Sequence, residues 1–210
     1  MDNVTKYFRT YHLPWSEAVT EDDIVIKSPF NLDDNVVVTI KMDGENTSLY
    51  PSGRSHARSI DSANHPSRDY VKKYWQERSY QLPHGWRVCG ENLYAKHSIH
   101  YKDLETYLYV FSIWREDNTC LSWDDTIEWC ELLDLTPVIT IYRGKYDENV
   151  IKNAFLPYKD IHEGYVIRSV DSFHYDDASS NMAKYVRKNH VQTDTHWMHS
   201  EIIPNKLKEK

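Results

Sequence analysis

Asn35-Val-Val-Val-Thr-Ile-Lys41-Met42-Asp43-Gly44-Glu45-Asn46 carries a β-branched run straight into a turn. The run is short and rich in valine, which suits a pleated, half-buried surface better than a helix. Asp43-Gly44 is a turn signal that ends it. A strand that delivers a lysine to a tight turn exposes a primary amine at its end. Such an amine becomes a nucleophile toward phosphorus when desolvation or neighbouring positive charge lowers its pKa. Three fixed positions make a weak motif by themselves, and the same residues would serve in an ordinary hairpin end.

Working outward, strands are predicted at Trp86 to Cys89, Tyr107 to Trp114, Gly164 to Ser169 and Met182 to Arg187, most of them β-branched or aromatic. Helices are predicted from Ser67 to Arg78, opened by Pro66 at a first-turn position, and from Glu148 to Phe155. Ser122 with Asp125 resembles a capping box before Ile127, Cys130 and Leu133. Strands and helices do not alternate strictly enough for a doubly wound parallel sheet. The expected class is therefore α+β, built on antiparallel sheets flanked by helices.

At 210 residues the chain suits one domain with a real core. Sixteen Tyr and seven Trp supply large side chains to fill it. The formal charge, 25 − 32 = −7, argues against a surface that is one large electrostatic footprint for nucleic acid, so any such contact is local. Positive residues gather at Arg68, Lys72 and Lys73, at Lys184, Arg187 and Lys188, and in a tail at Lys206, Lys208 and Lys210 that reads as frayed and solvated. Cys89, Cys120 and Cys130 form an odd set without C-x-x-C spacing, and no cationic, apolar leader stands at the N-terminus. The expectation is a reduced, cytoplasmic protein of viral or bacterial character. No apolar run reaches the roughly 20 residues that span a bilayer.

After Lys41 come Arg58 in Ser55-His56-Ala57-Arg58-Ser59, Gly90-Glu91 at a strand end, and Phe111 in an aromatic strand. Glu163-Gly164-Tyr165-Val166 and Lys184-Tyr185-Val186-Arg187-Lys188 complete the order. In this order the pieces resemble the covalent nucleotidyltransferase superfamily of polynucleotide ligases and capping enzymes. With Asn46 after the lysine motif, the sequence is most similar to RNA ligases of the phage double-strand-sealing type. The resemblance runs from about Lys41 to about Lys188.

It implies an ATP-grasp-like nucleotidyltransferase domain over residues 1–190 with a C-terminal extension at 191–210. It also implies an ATP-dependent RNA ligase that uses Mg²⁺ and acts on RNA ends in repair. Lys41 would carry AMP, Asp43 and Gly44 would form the nucleotide-binding turn, and Glu91 would hold the ribose. Phe111 would stack on adenine, Glu163 would bind or orient the metal, and Lys184 would contact the AMP phosphate. Arg58 would touch phosphate or the RNA end, with Asn46, Arg187 and Lys188 on the RNA. These roles suit phosphoryl transfer, which depends on positioning and on neutralising charge at the phosphate oxygens.

Three departures stand out. Lys184 is followed by Arg187 and Lys188 rather than by a basic residue two positions on, Ile40 stands where related RNA ligases often have glutamate, and Ser112 where aspartate is common. The eleven histidines, including His97, His100, His190, His196 and His199, show no tetrahedral zinc spacing. The polar segment from His190 to Trp197 is expected to contact substrate. Twenty-two residues after Lys188 are too few for an appended oligonucleotide-binding barrel, which counts against a DNA nick ligase. A non-catalytic RNA-binding module and a subunit that needs a protein partner to grip RNA are the remaining alternatives.

Overall fold

In a computed structural model the chain is described at residues 2–27, 30, 34–188 and 201–209. In chain order the described elements are β1 (Tyr11–His12), β2 (Asn35–Lys41), β3 (Glu45–Leu49), β4 (Ser55–Ala57), α1 (Asp69–Gln76), β5 (Arg87–Asn92) and β6 (Leu108–Trp114). Then follow β7 (Thr119–Cys120), α2 (Trp123–Leu132), β8 (Thr136–Pro137), β9 (Thr140–Lys145) and α3 (Glu148–Phe155). The last are β10 (Gly164–Ser169), β11 (Phe173–His174), α4 (Ala178–Asn181) and β12 (Met182–Val186).

These strands form two sheets. One has the order β1-β12-β10-β2-β9, and the other β11-β7-β6-β5-β3-β4 with β8 beside β6. All pairings are antiparallel except β1 with β12 and β6 with β8, in agreement with the α+β expectation.

Period-2 alternation assigns the faces of the first sheet. Ile40, Val38, Tyr165, Ile167, Ala183 and Tyr185 enter one core with Ile151 and Phe155 of α3. The alternate residues Thr39, Lys41, Val166, Arg168, Met182 and Lys184 line a cleft toward the second sheet. On the second sheet, Leu49, Val88, Val110 and Ile113 pack beneath Val71 and Trp75 of α1 and Cys130 of α2. Helices α1, α2 and α3 thus lie on the outer faces and the cleft lies between the sheets.

Ser122 Oγ accepts from the Asp125 N–H at 3.1 Å, so the capping residue starts α2 as its sequence implies. α1 is shorter than predicted because a 3₁₀ turn, Pro66–Arg68, occupies its first positions. β5 runs three residues beyond the predicted Cys89, because Gly90, Glu91 and Asn92 pair with both β3 and β6.

β2 delivers Lys41 to a turn as predicted, and the alternative of an ordinary hairpin end does not hold, because β2 and β3 belong to different sheets and Met42–Gly44 is the crossover between them. Nor is the tail frayed: residues 203–208 pair with the segment between β5 and β6, through bridges Ala95 to Pro204 and Leu104 to Leu207. Asn205, 1% exposed, supplies the polar contacts that hold it there. The segment from His190 to Trp197, and His199, lie outside the described residues.

Candidate active site

The cleft between the sheets has a volume of about 580 Å³. Lys41 lies at its floor because the last residue of β2 points to the cleft face, opposite Gly164 of β10. Gly164 has no room for a side chain, since a Cβ there would overlap the Tyr185 carbonyl oxygen. Glu163 immediately precedes it, and its Oε2 accepts from Lys41 Nζ at 2.6 Å.

The turn after Lys41 is tied on every side. Asp43 Oδ2 accepts from the amides of Ser98 at 2.8 Å and Ile99 at 2.6 Å, and Asp43 N–H donates to the Tyr101 hydroxyl at 3.1 Å. Gly44 N–H donates to Glu91 Oε1 at 3.0 Å. A Cβ at Gly44 would sit 2.5 Å from the Asn92 carbonyl oxygen, so the glycine is required by close approach to β5.

Charge in the site is arranged in opposition. Burial works against the Lys41 ammonium, yet the carboxylates of Glu163, Glu91 and Asp43 outweigh it and hold the pKa above the usual lysine value. The expectation of an amine with a lowered pKa is therefore corrected for the unliganded protein. Lys184 moves the other way, lowered by burial and then by the nearby Lys41. Glu91 is pushed up to about 8, first by burial, with the charge of Glu163 adding to it against Lys41 and the Gly44 amide.

The residues named from sequence divide into two groups. Lys41, Gly44, Asn46, Arg58, Glu91, Phe111 and Lys184 all line the cleft, and Glu163 joins it through Lys41. Asn46 pairs in register with Glu91, and its Oδ1 is buried without a hydrogen bond among the described residues. Phe111 is half-buried on the opposite wall, edge-on to Tyr7 with ring centroids 5.3 Å apart. Arg58 is exposed at the lip. Asp43 serves as an anchor of the turn.

Arg187 and Lys188 do not line the cleft. Arg187 Nε donates to the His162 carbonyl at 2.8 Å and its N–H to the Glu163 carbonyl at 3.0 Å, so it clamps the backbone that carries Glu163. Lys188 is exposed, and its N–H donates to Glu17.

Arg168 and Glu45 of the site went unread in the sequence, and Arg68, read there as part of a positive cluster open to nucleic acid, is instead buried in an ion pair. Arg168 is 1% exposed on the cleft face of β10, with one guanidinium nitrogen lacking a partner among the described residues. The two-residue alternation from Gly164 and Val166 would have found it. Glu45 and Arg68 form a buried pair on the cleft wall, Nε to Oε2 at 2.7 Å. Their separation of 23 positions leaves no sequence signal. The departures have structural counterparts: Ile40 is buried in the core, and Ser112 Oγ accepts from the Trp114 indole at 2.9 Å.

The residues present fit a divalent cation held together with a polyphosphate. Among the described residues no group of three or more His, Cys, Asp or Glu could hold a metal ion alone. Mg²⁺, however, commonly takes only one or two carboxylates and completes its shell with water and phosphate oxygens. Glu163, beside Lys41, is the carboxylate that would supply such a ligand.

Comparison with known proteins gives a consistent result. The family model described as RNA ligase matches residues 34–186. Among solved structures, the chain resembles an Aquifex aeolicus protein described as a candidate ATP-dependent DNA ligase, at a TM-score of 0.51 and 20% identity, covering 74% of this chain and 44% of that one. It also resembles a variant of the Naegleria gruberi RNA ligase with ATP and Mn, at a TM-score of 0.50 and 14% identity, covering 74% and 50%. At these identities the likeness is one of fold. The chain spans about half the length of these ligases. No match was found among curated protein sequences.

Proposed function

Because this chain belongs to the RNA ligase family, we propose that it joins RNA 3'-hydroxyl and 5'-phosphate ends through an AMP carried on Lys41. The observation that carries the reading is the position of Lys41 at the crossover between two sheets. There it faces Glu163 at 2.6 Å in a cleft that also holds Glu91, Phe111 and Lys184.

In the first step the Lys41 amine attacks the α-phosphorus of ATP, a nitrogen–phosphorus bond forms, and pyrophosphate leaves. The ammonium must first lose a proton, and its hydrogen bond to Glu163 is the direct route out. Lys184 brings a second positive charge to the same face for the phosphate oxygens. Glu91 opposite Asn46 offers acceptors to the ribose hydroxyls, and Phe111 offers a stacking face to adenine. Mg²⁺, held through Glu163, would supply neutralisation of the phosphate charge when bound.

In the second step a 5'-phosphate oxygen of the RNA attacks the phosphorus on Lys41 and the nitrogen–phosphorus bond breaks. Finally the 3'-hydroxyl attacks the activated end and AMP departs. Arg58, exposed at the lip, is placed for the RNA end. Asn46 after the lysine motif supports the double-strand-sealing subtype and, with it, a role in RNA repair.

The test is incubation with α-labelled ATP and Mg²⁺ beside a Lys41→Ala variant, after pyrophosphate treatment to clear any AMP already bound. Label on the unaltered chain alone supports the reading. No label on either chain refutes it in favour of a non-catalytic RNA-binding module. A panel of nicked duplex RNA, single-stranded RNA and nicked DNA then separates the subtype from its alternatives.

A further inference from the structure

The segment between β5 and β6, residues 93–107, belongs to no described strand or helix, so its backbone polar groups need partners from elsewhere. Residues 203–208 provide them. Asn205 Nδ2 donates to the Leu93 carbonyl at 2.8 Å, and its Oδ1 accepts from the Tyr101 N–H at 2.9 Å. The Asn205 backbone N–H donates to the Tyr94 carbonyl at 2.8 Å, while its carbonyl accepts from the Tyr107 hydroxyl at 2.9 Å. On either side, Lys96 N–H donates to the Ile203 carbonyl at 2.7 Å and Lys206 N–H to the Tyr101 carbonyl at 3.0 Å.

The other side of the same segment grips the turn after Lys41. The amides of Ser98 and Ile99 hold the Asp43 carboxylate, and the Tyr101 hydroxyl holds the Asp43 N–H. Tyr101 therefore touches both: its backbone is fixed by Asn205 and its hydroxyl fixes the residue two positions from Lys41. Tyr101 is 6% exposed and Asn205 1%, so solvent offers little replacement for either set of bonds.

We infer that residues 203–208 act as a strap that sets the Lys41–Gly44 turn through Tyr101, with Asn205 and Tyr101 as positioning residues for transfer to Lys41. The consequence for catalysis rests on the reading of Lys41 as nucleophile; the consequence for order in the turn does not. Removing the Asn205 amide leaves the Leu93 carbonyl and the Tyr101 N–H without their partner, so the segment shifts to satisfy them. A displacement of about 1 Å at the turn is enough to cost on the order of 10²-fold in a reaction that depends on alignment.

Two variants test this. In Asn205→Ala, amide exchange measured by NMR at Asp43, Ser98 and Ile99 rises at least about tenfold, while amides of β12 exchange as before. In Tyr101→Phe, which deletes one oxygen, single-turnover adenylation at saturating ATP falls about 10- to 100-fold. The ATP concentration for half-maximal rate should stay within about threefold and the melting temperature should fall by only a few degrees, a split that general loss of structure would not produce. Unchanged exchange in Asn205→Ala, or an undiminished rate in Tyr101→Phe, overturns the proposal. If the unaltered chain takes no label, the ligase reading fails and the exchange measurement alone decides the strap. If Asn205→Ala does not fold, exchange at Asp43, Ser98 and Ile99 in Asn205→Asp, which loses the donor to the Leu93 carbonyl, takes its place.

Discussion

The turn after Lys41 and the segment after β4 flank the same cleft and are built in opposite ways. Around Lys41–Gly44, the ammonium, the Asp43 carboxylate and the amides of Asp43 and Gly44 all have fixed partners, drawn from β5, from Glu163 just before β10 and from the segment between β5 and β6. Beyond β4, Arg58, Ser59 and Ile60 are exposed, and the path of the chain is set mainly by Ser62 accepting from the Ala57 N–H and by Arg68 gripping the Ala63 carbonyl. The first region is preorganised, as a step that depends on alignment requires. The second presents a cation on a surface segment, which suits a group that meets a large and variable partner.

The strongest test of that contrast is Gly44→Ala, which puts a methyl group 2.5 Å from the Asn92 carbonyl oxygen. Adenylation of Lys41 should fall by about 100-fold in a single-turnover assay, and a normal rate would show that the turn is less constrained than its contacts imply. Next is Arg68→Ala, which strands the Glu45 carboxylate on a wall where both side chains are about nine-tenths buried. Loss of one partner of such a pair costs about 3 kcal/mol or more, visible as a lower midpoint in urea denaturation.

Arg58→Ala should separate the two regions. Labelling of Lys41 with ATP should stay within about twofold, while sealing of RNA ends falls about tenfold, as expected for one lost charge-assisted contact. An equal loss in both assays would join the lip to the nucleotide site.

Within the tied region, Glu163→Gln removes a carboxylate that sustains the Lys41 charge against burial. Lys41 should then react several-fold faster with an acylating reagent at pH 8, read by mass spectrometry, because more of it is neutral amine. The smallest effect concerns Glu91. Raised to about 8 from 4.5, chiefly by burial, it keeps its proton in the folded state where the unfolded chain has lost it. Its contribution to stability is fully present below the unfolded value and is lost as pH rises toward 8. The unliganded protein should melt a few degrees lower at pH 8 than at pH 5, and Glu91→Gln should flatten that slope.

Much of this architecture can be read from local pattern. β2, β6, β10 and β12 announce themselves through β-branched and aromatic runs, α2 through its capping serine, and α3 through a four-residue apolar spacing that ends at Phe155. The order Lys41, Glu91, Phe111, Glu163 and Lys184 was visible only as a resemblance to the ordered motifs of nucleotidyltransferases, and the structure brings these residues to one cleft.

Other features depended on elements distant in the chain. That Lys41 ends at a crossover between sheets rather than a hairpin follows from β2 pairing with β10 and β9, more than 100 residues away. The rise in the Lys41 pKa depends on Glu163 and Glu91 arriving beside it. Arg187 proved to hold the backbone of Glu163, and the basic tail proved to be docked by Asn205. The sequence by itself determined which residues could carry the chemistry, since residue type and a two-residue period are local properties. Only the tertiary structure decided which charges meet, because electrostatic and hydrogen-bond partners are set by distance in space and not by position along the chain.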